Sequence, residues 1–112
     1  MKQIDLEEGR PDVASAMVRL NNRIYQARAT GDRACKIIHG YGSSGKGGSI
    51  KSACLMELRG YKRRGIIKEF CPGDKFGPFS EEGRKMTALM PSLNRDRDWG
   101  RSNDGITVIL FK

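Results

Sequence analysis

An amphipathic helix set between two β-rich runs is the feature that most constrains this fold. Apolar residues recur at spacings of three and four between Val13 and Ala27, which is the pattern of a helix that packs one face on a core. We predict that this helix starts at Pro11 and ends at Gly31. Strands that are separated by one helix pair in parallel. The sequence therefore predicts an α/β unit at the start of the chain.

This unit and the segment that follows it contain three predicted strands and a second helix. The alternating run 3–7 is a first strand, the run 34–39 is a second, and the run 66–70 is a third. A second helix follows a Ser49 cap and ends at Gly60. The order of these elements is β-α-β-α-β.

The end of the chain adds a long excursion and a last strand. The strand at 106–111 is apolar on both faces apart from Thr107, which is typical of a strand covered on both sides. Residues 71–104 form the excursion, and its Pro, Gly and charged residues predict mostly loop. Ser80 can cap one short helix there, and Trp99 is expected to anchor the excursion on the domain. Three apolar residues of that helix are expected to face inward: Met86, Leu89 and Met90.

Composition sets the size of the domain and the class of partner. The 112 residues suffice for a single domain, 1–112, with a modest two-layer core. Because 21 Lys and Arg oppose 13 Asp and Glu, the net charge of +8 favours a polyanionic partner, DNA or RNA. The three cysteines cannot all pair, and neither a signal-like nor a membrane-spanning stretch is present, so we expect a cytoplasmic protein without membrane association.

The connection 39–49, between the second strand and the second helix, has the composition of an anion site. Its glycines let backbone N–H groups approach an anion, and the helix start adds a partial positive charge. We expect it to bind nucleic-acid phosphate, with Tyr41 stacking on an unpaired base. The predicted contacts in the loop and helix are Gly40, Tyr41, Gly42, Gly45, Lys46, Gly47, Ser49 and Lys51. A basic turn after the helix is expected to extend the positive surface away from this loop: Lys62, Arg63 and Arg64.

Two general phosphate-binding motifs also match this connection. Residues 40–45 fit GxGxxG, but a dinucleotide-binding fold needs more strands than this chain offers. Residues 40–46 fit GxxxxGK, although Gly47 occupies the position of the Ser or Thr that binds magnesium in a P-loop. A nucleotide-binding, P-loop-like protein that uses residues 40–47 is therefore the alternative function.

Several segments together resemble the Smr domain, the small MutS-related domain. These segments are IDL at 4–6, KIIHGYG at 36–42 and DGITVIL at 104–110. The resemblance implies an α+β domain with a mixed four-stranded sheet, like the C-terminal domain of translation initiation factor three, in which the last strand is antiparallel to the others. It also implies binding of DNA or RNA and, as in several members, nicking endonuclease activity.

The sequence departs from the family pattern in three places. Many members read LDLHG where this chain reads IDLEE at 4–8, so the first family histidine has no counterpart. The third glycine of the family's loop falls one place late, at Gly45. The segment 71–104 is much longer than the family's usual short connection.

Three side chains are candidates for catalysis if the chain is a nuclease. Asp5, Glu7 and His39 follow the two parallel strands, whose carboxyl ends meet at the edge of the sheet where ligands bind. His39 would move a proton or hydrogen-bond the scissile phosphate, and Asp5 would orient His39 or hold a divalent metal such as Mg²⁺ or Mn²⁺. In the structural alternative, His39 only hydrogen-bonds its loop and Asp5 caps the first helix. The sequence identifies no set of metal ligands.

Overall fold

The strands form a four-stranded mixed sheet. The computed structural model describes residues 1–41 and 46–112, with strands β1 (Lys2–Asp5), β2 (Ala34–Ile38), β3 (Glu69–Pro72) and β4 (Ile106–Leu110). Their order in the sheet is β1-β2-β4-β3. β1 and β2 are parallel, whereas β4 is antiparallel to both of its neighbours. The predicted sheet, including its antiparallel last strand, is confirmed.

Helices α1 (Val13–Ala29) and α2 (Lys46–Arg63) cover one face of the sheet. The side chain of Asp12 caps α1 by accepting a hydrogen bond from the Ser15 N–H at 2.8 Å, so the helix begins after Asp12 and not at Pro11. The apolar stripes of both helices pack on inward side chains of the sheet. Buried members of this core include Leu20, Ile24, Ile37, Leu58 and Ile109. This layer is the predicted α/β unit.

The 71–104 excursion covers the opposite face of the sheet, so it adds a third layer to the two that were predicted. It contains α3 (Glu81–Leu89), whose cap is the Ser80 hydroxyl, as predicted, because that hydroxyl accepts the Gly83 N–H at 2.8 Å. Its short 3-10 turns are Gly73–Lys75 and Pro91–Arg95. Buried members of this second core include Cys71, Phe76, Met86, Leu93 and Val108. β4 is consequently buried on both faces, as predicted.

Aromatic and apolar side chains hold the excursion in place. The Trp99 ring packs edge-on against Phe76, with ring centroids 5.0 Å apart, and it lies against the core that includes Val108 of β4, as its predicted anchoring role requires. Met86 is buried and Met90 packs against the same core. Leu89, in contrast, is exposed. The inward face of α3 is centred on Met86, and Leu89 lies at the border of that face.

The bounds of α2 differ from the prediction at both ends. The helix begins at Lys46, earlier than the predicted Ser49 cap, and continues through Gly60 to Arg63. A glycine inside a helix costs about 1 kcal/mol. Leu58 and Tyr61, on either side of Gly60, are buried in the core and hold the helix in register. Tertiary packing therefore outweighs the local preference of glycine for a helix end.

β3 begins and ends later than predicted, at Glu69 and Pro72, so the first two residues of the predicted excursion belong to the sheet. The N–H groups of Ile66 and Ile67 both donate to the Tyr61 carbonyl at the end of α2, so these two residues form the turn after the helix. Both are buried in the helical core although neither belongs to a strand. None of the described helices combines the length and the hydropathy that crossing a bilayer requires.

Candidate functional site

The carboxyl ends of β1 and β2 lie at the same edge of the sheet as the start of α2. β1 pairs with β2 in parallel register up to Asp5. The chain then leaves β2 through His39 and enters α2 at Lys46. Asp5, Glu7 and His39 therefore lie at one edge, as the parallel strands predict. We call this the loop edge.

Gly40 lies at the centre of the loop edge, where the backbone conformation favours glycine. Its φ of +86° is in the left-handed region. Its N–H donates to the Gly105 carbonyl at 3.0 Å, which joins the loop to the start of β4. A Cβ at this position would lie 2.5 Å from Oε2 of Glu7. The Gly40 backbone thus packs directly against the Glu7 carboxylate.

The imidazole of His39 is fully buried, and both of its nitrogens have partners. Nδ1 lies 3.0 Å from the Gly40 carbonyl oxygen, and Nε2 lies 2.8 Å from the Thr107 hydroxyl. Since a carbonyl can only accept, Nδ1–H donates to Gly40 and Nε2 accepts from Thr107. Burial is the main cause that lowers the pKa of His39, and the charge of Lys51 lowers it further. The neutral ring therefore braces Gly40 against β4.

The stability of the fold should fall between about pH 7 and about pH 5 because of His39. Its folded-state pKa lies below the ordinary 6.5, so the unfolded chain binds the proton more readily and acid favours unfolding. This contribution is complete above the unfolded-state pKa and is lost as the pH falls below it. The paired Asp98 and Glu69 have lowered carboxyl pKa values and titrate below this window. Denaturant titrations across the window measure the slope, which we expect to vanish in His39→Gln. A parent protein with equal stability at both pH values would contradict the assignment.

The Asp5 side chain organises the connection between β1 and α1. Its Oδ1 accepts hydrogen bonds from the N–H groups of Glu7 at 2.8 Å and Glu8 at 3.2 Å. Arg19 of α1 donates to the carbonyls of Asp5 and Glu8 at 3.0 and 2.9 Å. Asp5 therefore does not cap α1, because its carboxylate is engaged in its own turn. No hydrogen bond joins the described side chains of Asp5 and His39.

A cleft of about 310 Å³ opens beside Gly40. Tyr41, with 64% of its surface exposed, lines this cleft and packs its ring on Gly105, where a Cβ would lie 3.1 Å from a ring carbon. The carboxylate of Glu7 also lines it. The sheet and the excursion supply the other side chains: Gln3, Lys36, Ile38, Arg97, Asp98, Asn103 and Ile106. Sequence reasoning missed the excursion's part in this wall, for which the charged run at 94–98 was the available signal.

Lys36 of β2 forms a buried charge cluster behind the cleft. Its side chain is almost fully buried, and its Nζ lies 2.6 Å from carboxylate oxygens of both Asp96 and Asp98. Asp98 also accepts from the Asn103 amide at 3.0 Å. Burial alone raises the pKa of Asp98, but the hydrogen bonds from Lys36 and Asn103 outweigh it and hold that pKa below its usual value. The sequence signal for this cluster was a lysine in the middle of an apolar strand.

Comparison with known proteins bears on the fold. No family model matches the sequence, and no curated protein matches it. The chain is similar to the crystal structure of the Smr domain of Thermus thermophilus MutS2, with a TM-score of 0.60 and 23% sequence identity over 100% of this chain and 99% of that one. The chain has the Smr-domain fold. The fold implied by the IDL, KIIHGYG and DGITVIL segments is confirmed.

Within the Smr fold, Glu7 stands where the family pattern has its first histidine. Its side chain is exposed at the loop edge. Its carboxylate has no hydrogen bond or ion pair with the side chains that the structure describes, those of residues 1–41 and 48–112. The described residues contain no group of three His, Cys, Asp or Glu side chains arranged to hold a metal ion. Where the family pattern has an imidazole, this chain therefore has a carboxylate beside Gly40.

The predicted phosphate contacts of the Smr-like domain fall into two groups. The first group lies at the loop edge: Gly40, Tyr41, Lys46, Gly47, Ser49 and Lys51. Gly42 and Gly45 lie outside the described residues. The second group is the basic turn 62–64, at the far end of α2. Because α2 has 18 residues, about 27 Å separate its two ends.

The basic turn lies at the opposite edge of the sheet, away from the loop edge, and two of its side chains are already engaged. Lys62 is paired with Glu69 at 2.9 Å. Arg64 lies over the ring of Tyr61, 5.2 Å from its centroid. Arg63 is exposed. These residues belong to a separate surface.

Proposed function

We propose that this Smr-like domain binds nucleic acid and holds its phosphate groups at the start of α2. One observation carries this proposal: the N-terminus of α2 lies at the same sheet edge as Gly40, whose backbone is in the left-handed region that favours glycine. Lys46 and Lys51 lie in the first two turns of the helix, and the first turn has no acidic residue. The N–H groups and partial positive charge of a helix start attract phosphate oxygens.

The exposed ring of Tyr41 and the overall charge favour nucleic acid over a small phosphate ligand. Tyr41 lines the cleft beside Gly40, where an unpaired base can stack on its exposed ring. Such stacking contributes about 1–3 kcal/mol per base. The net charge of +8 draws an extended polyanion to the surface before contact. We therefore propose single-stranded or unpaired segments of DNA or RNA as the ligand.

Affinity for a single-stranded oligonucleotide should weaken steeply as salt rises, because each phosphate contact releases counterions. Lys46→Ala should weaken binding for all sequences alike and reduce the slope of log affinity against log salt by about 1. Arg23→Ala, on the exposed face of α1, is the matched control and should change the slope little. Fluorescence anisotropy at several salt concentrations gives both quantities. An affinity independent of salt, or equal effects of the two variants, would refute the electrostatic account.

Two further assays separate this function from its alternatives. Catalytic roles for Asp5, Glu7 and His39 stay predictions. Because both ring nitrogens of His39 are engaged in hydrogen bonds, we favour nucleic-acid binding over a role of His39 in proton transfer. We expect supercoiled plasmid to remain intact with Mg²⁺ or Mn²⁺; nicking that is lost in Glu7→Gln would assign a nuclease. We expect ATP with Mg²⁺ to leave the Tm unchanged, whereas a saturable rise would favour the P-loop-like alternative at residues 40–47.

A further inference from the structure

A second cationic surface lies at the sheet edge opposite the loop edge. It consists of Arg33, Arg63, Lys68 and Lys112, and we call it the distal surface. Arg33 precedes β2, Lys68 precedes β3, and Lys112 follows β4, while Arg63 ends α2. Since β4 is antiparallel to β2 and β3, these positions all fall at one edge.

Backbone hydrogen bonds fix the two central cations of the distal surface on either side of β4. The Phe111 N–H donates to the Arg33 carbonyl at 2.9 Å, and the Lys68 N–H donates to the Leu110 carbonyl at 2.7 Å. The side chains of Arg33, Lys68 and Lys112 line a cleft of about 110 Å³ that has no acidic residue in its wall. The floor of this cleft is apolar: Leu89, Met90, Leu110 and Phe111.

The acidic residues next to the distal surface are already paired with other lysines. Asp32, which precedes Arg33, lies 2.8 Å from the Lys2 ammonium. Glu69, which follows Lys68, lies 2.9 Å from the ammonium groups of both Lys62 and Lys85. Within the part of the chain that the structure describes, no cation of the distal surface takes part in an ion pair. The cationic side chains of the distal surface therefore have no described acidic side chain as an ion-pair partner.

We propose that the distal surface is a second binding site for the nucleic-acid backbone, so that one domain can bridge two nucleic-acid segments. The length of α2, about 27 Å, separates the distal surface from the loop edge, and the three-layer body lies between them. An oligonucleotide shorter than about eight base pairs cannot span that distance, so it contacts one edge at a time and each edge takes its own segment. This inference rests on the proposed function and adds a second contact to it.

A bridging assay tests this inference. One oligonucleotide is fixed on beads, and capture of a second, fluorescent oligonucleotide is measured with the full chain at low salt. We expect Arg33→Glu and Lys68→Glu each to lower capture by about tenfold, since charge reversal replaces attraction of the backbone by repulsion. Arg23→Glu carries the same change of charge on the exposed face of α1 and should lower capture much less. Affinity for one oligonucleotide in solution should be no lower in Lys68→Glu than in Arg23→Glu.

The outcomes separate this inference from the proposed function. Tight binding of one oligonucleotide without capture of the second would overturn the distal site alone. Capture that Lys68→Glu and Arg23→Glu lower equally would also overturn it, because bulk charge would then explain bridging. Absence of binding to any oligonucleotide would overturn both proposals. Equal melting temperatures of the variants and the parent show that a loss of capture does not come from unfolding.

Discussion

Gly83→Ala should lower the free energy of unfolding by about 3 kcal/mol and the Tm by more than about 10 °C. A Cβ at this position in α3 would overlap the Gly77 carbonyl oxygen and lie 2.7 Å from the Lys75 carbonyl oxygen. Both are backbone atoms, which cannot move aside as a side chain can. α3 would have to shift, and the core around Met86 would open. Denaturant unfolding followed by circular dichroism measures the loss.

Gly60→Ala is the matched control, because Gly60 is also a buried glycine inside a helix. The nearest atom to its added Cβ is Nη1 of Arg64, at 3.2 Å, at the end of a flexible side chain. This variant should be stabilised by about 0.5–1 kcal/mol, since alanine favours a helix over glycine. If the two substitutions changed stability equally, the close packing of α3 against the backbone at Lys75 and Gly77 would be wrong.

Lys36→Met should destabilise the protein by about 3–5 kcal/mol, which is the typical cost of removing one partner of a buried ion pair. The ammonium group of Lys36 is the shared partner of the Asp96 and Asp98 carboxylates, and its loss leaves them with buried charge. Methionine fills similar volume, so the loss comes from charge and not from a cavity. Equilibrium unfolding of the parent and the variant gives the difference.

Two controls identify the unpaired carboxylates as the cause. Asp98→Asn in the Lys36→Met background should recover part of the stability, because a neutral amide needs no counter-charge. The difference in the free energy of unfolding between Lys36→Met and the parent should also shrink as the pH falls. In the parent, the lowered pKa of Asp98 adds stability that acid removes, whereas in the variant protonation relieves a buried charge. A loss independent of pH, without rescue by Asp98→Asn, would point to packing instead.

The order of strands and helices could be predicted from the sequence because local patterns determine it. Each local pattern predicts one type of element, and these predictions agree with one another. The patterns are the apolar stripe of α1, the β-rich runs and the apolar β4. The ends of elements were less predictable. Gly60 looks like a helix end and Ile66 looks like a strand residue, and in both cases burial against α1 and the sheet decides the outcome.

The role of the 71–104 excursion could not be predicted because it depends on contacts between residues far apart in the chain. Lys36 meets Asp96 and Asp98, which lie about sixty positions away. The lysine in an apolar strand and the charged run at 94–98 are visible in the sequence, but nothing in their spacing predicts that they pair. The excursion proves to be a complete layer with its own core, and it also supplies Arg97 and Asn103 to the cleft at the loop edge.

The loop edge was predictable in position but not in chemistry. Parallel strands place Asp5, Glu7 and His39 together, and the structure confirms that placement. The partners of each side chain are a matter of tertiary geometry. His39 is held by Thr107 of β4, and Asp5 is held by its own turn. Asp5 and His39, which are catalytic candidates from the sequence, thus form hydrogen bonds that stabilise the fold.

The most direct measurement of the central claim is a titration of backbone amide NMR signals with a short single-stranded oligonucleotide at low salt. Binding at the start of α2 predicts the largest changes at Gly40, at Tyr41 and in the first two turns of α2, including Ser49 and Lys51. These changes should appear at the lowest oligonucleotide additions and disappear as salt rises. Changes confined to other surfaces, such as the exposed face of α1 around Arg23, or no changes at low salt, would contradict the account.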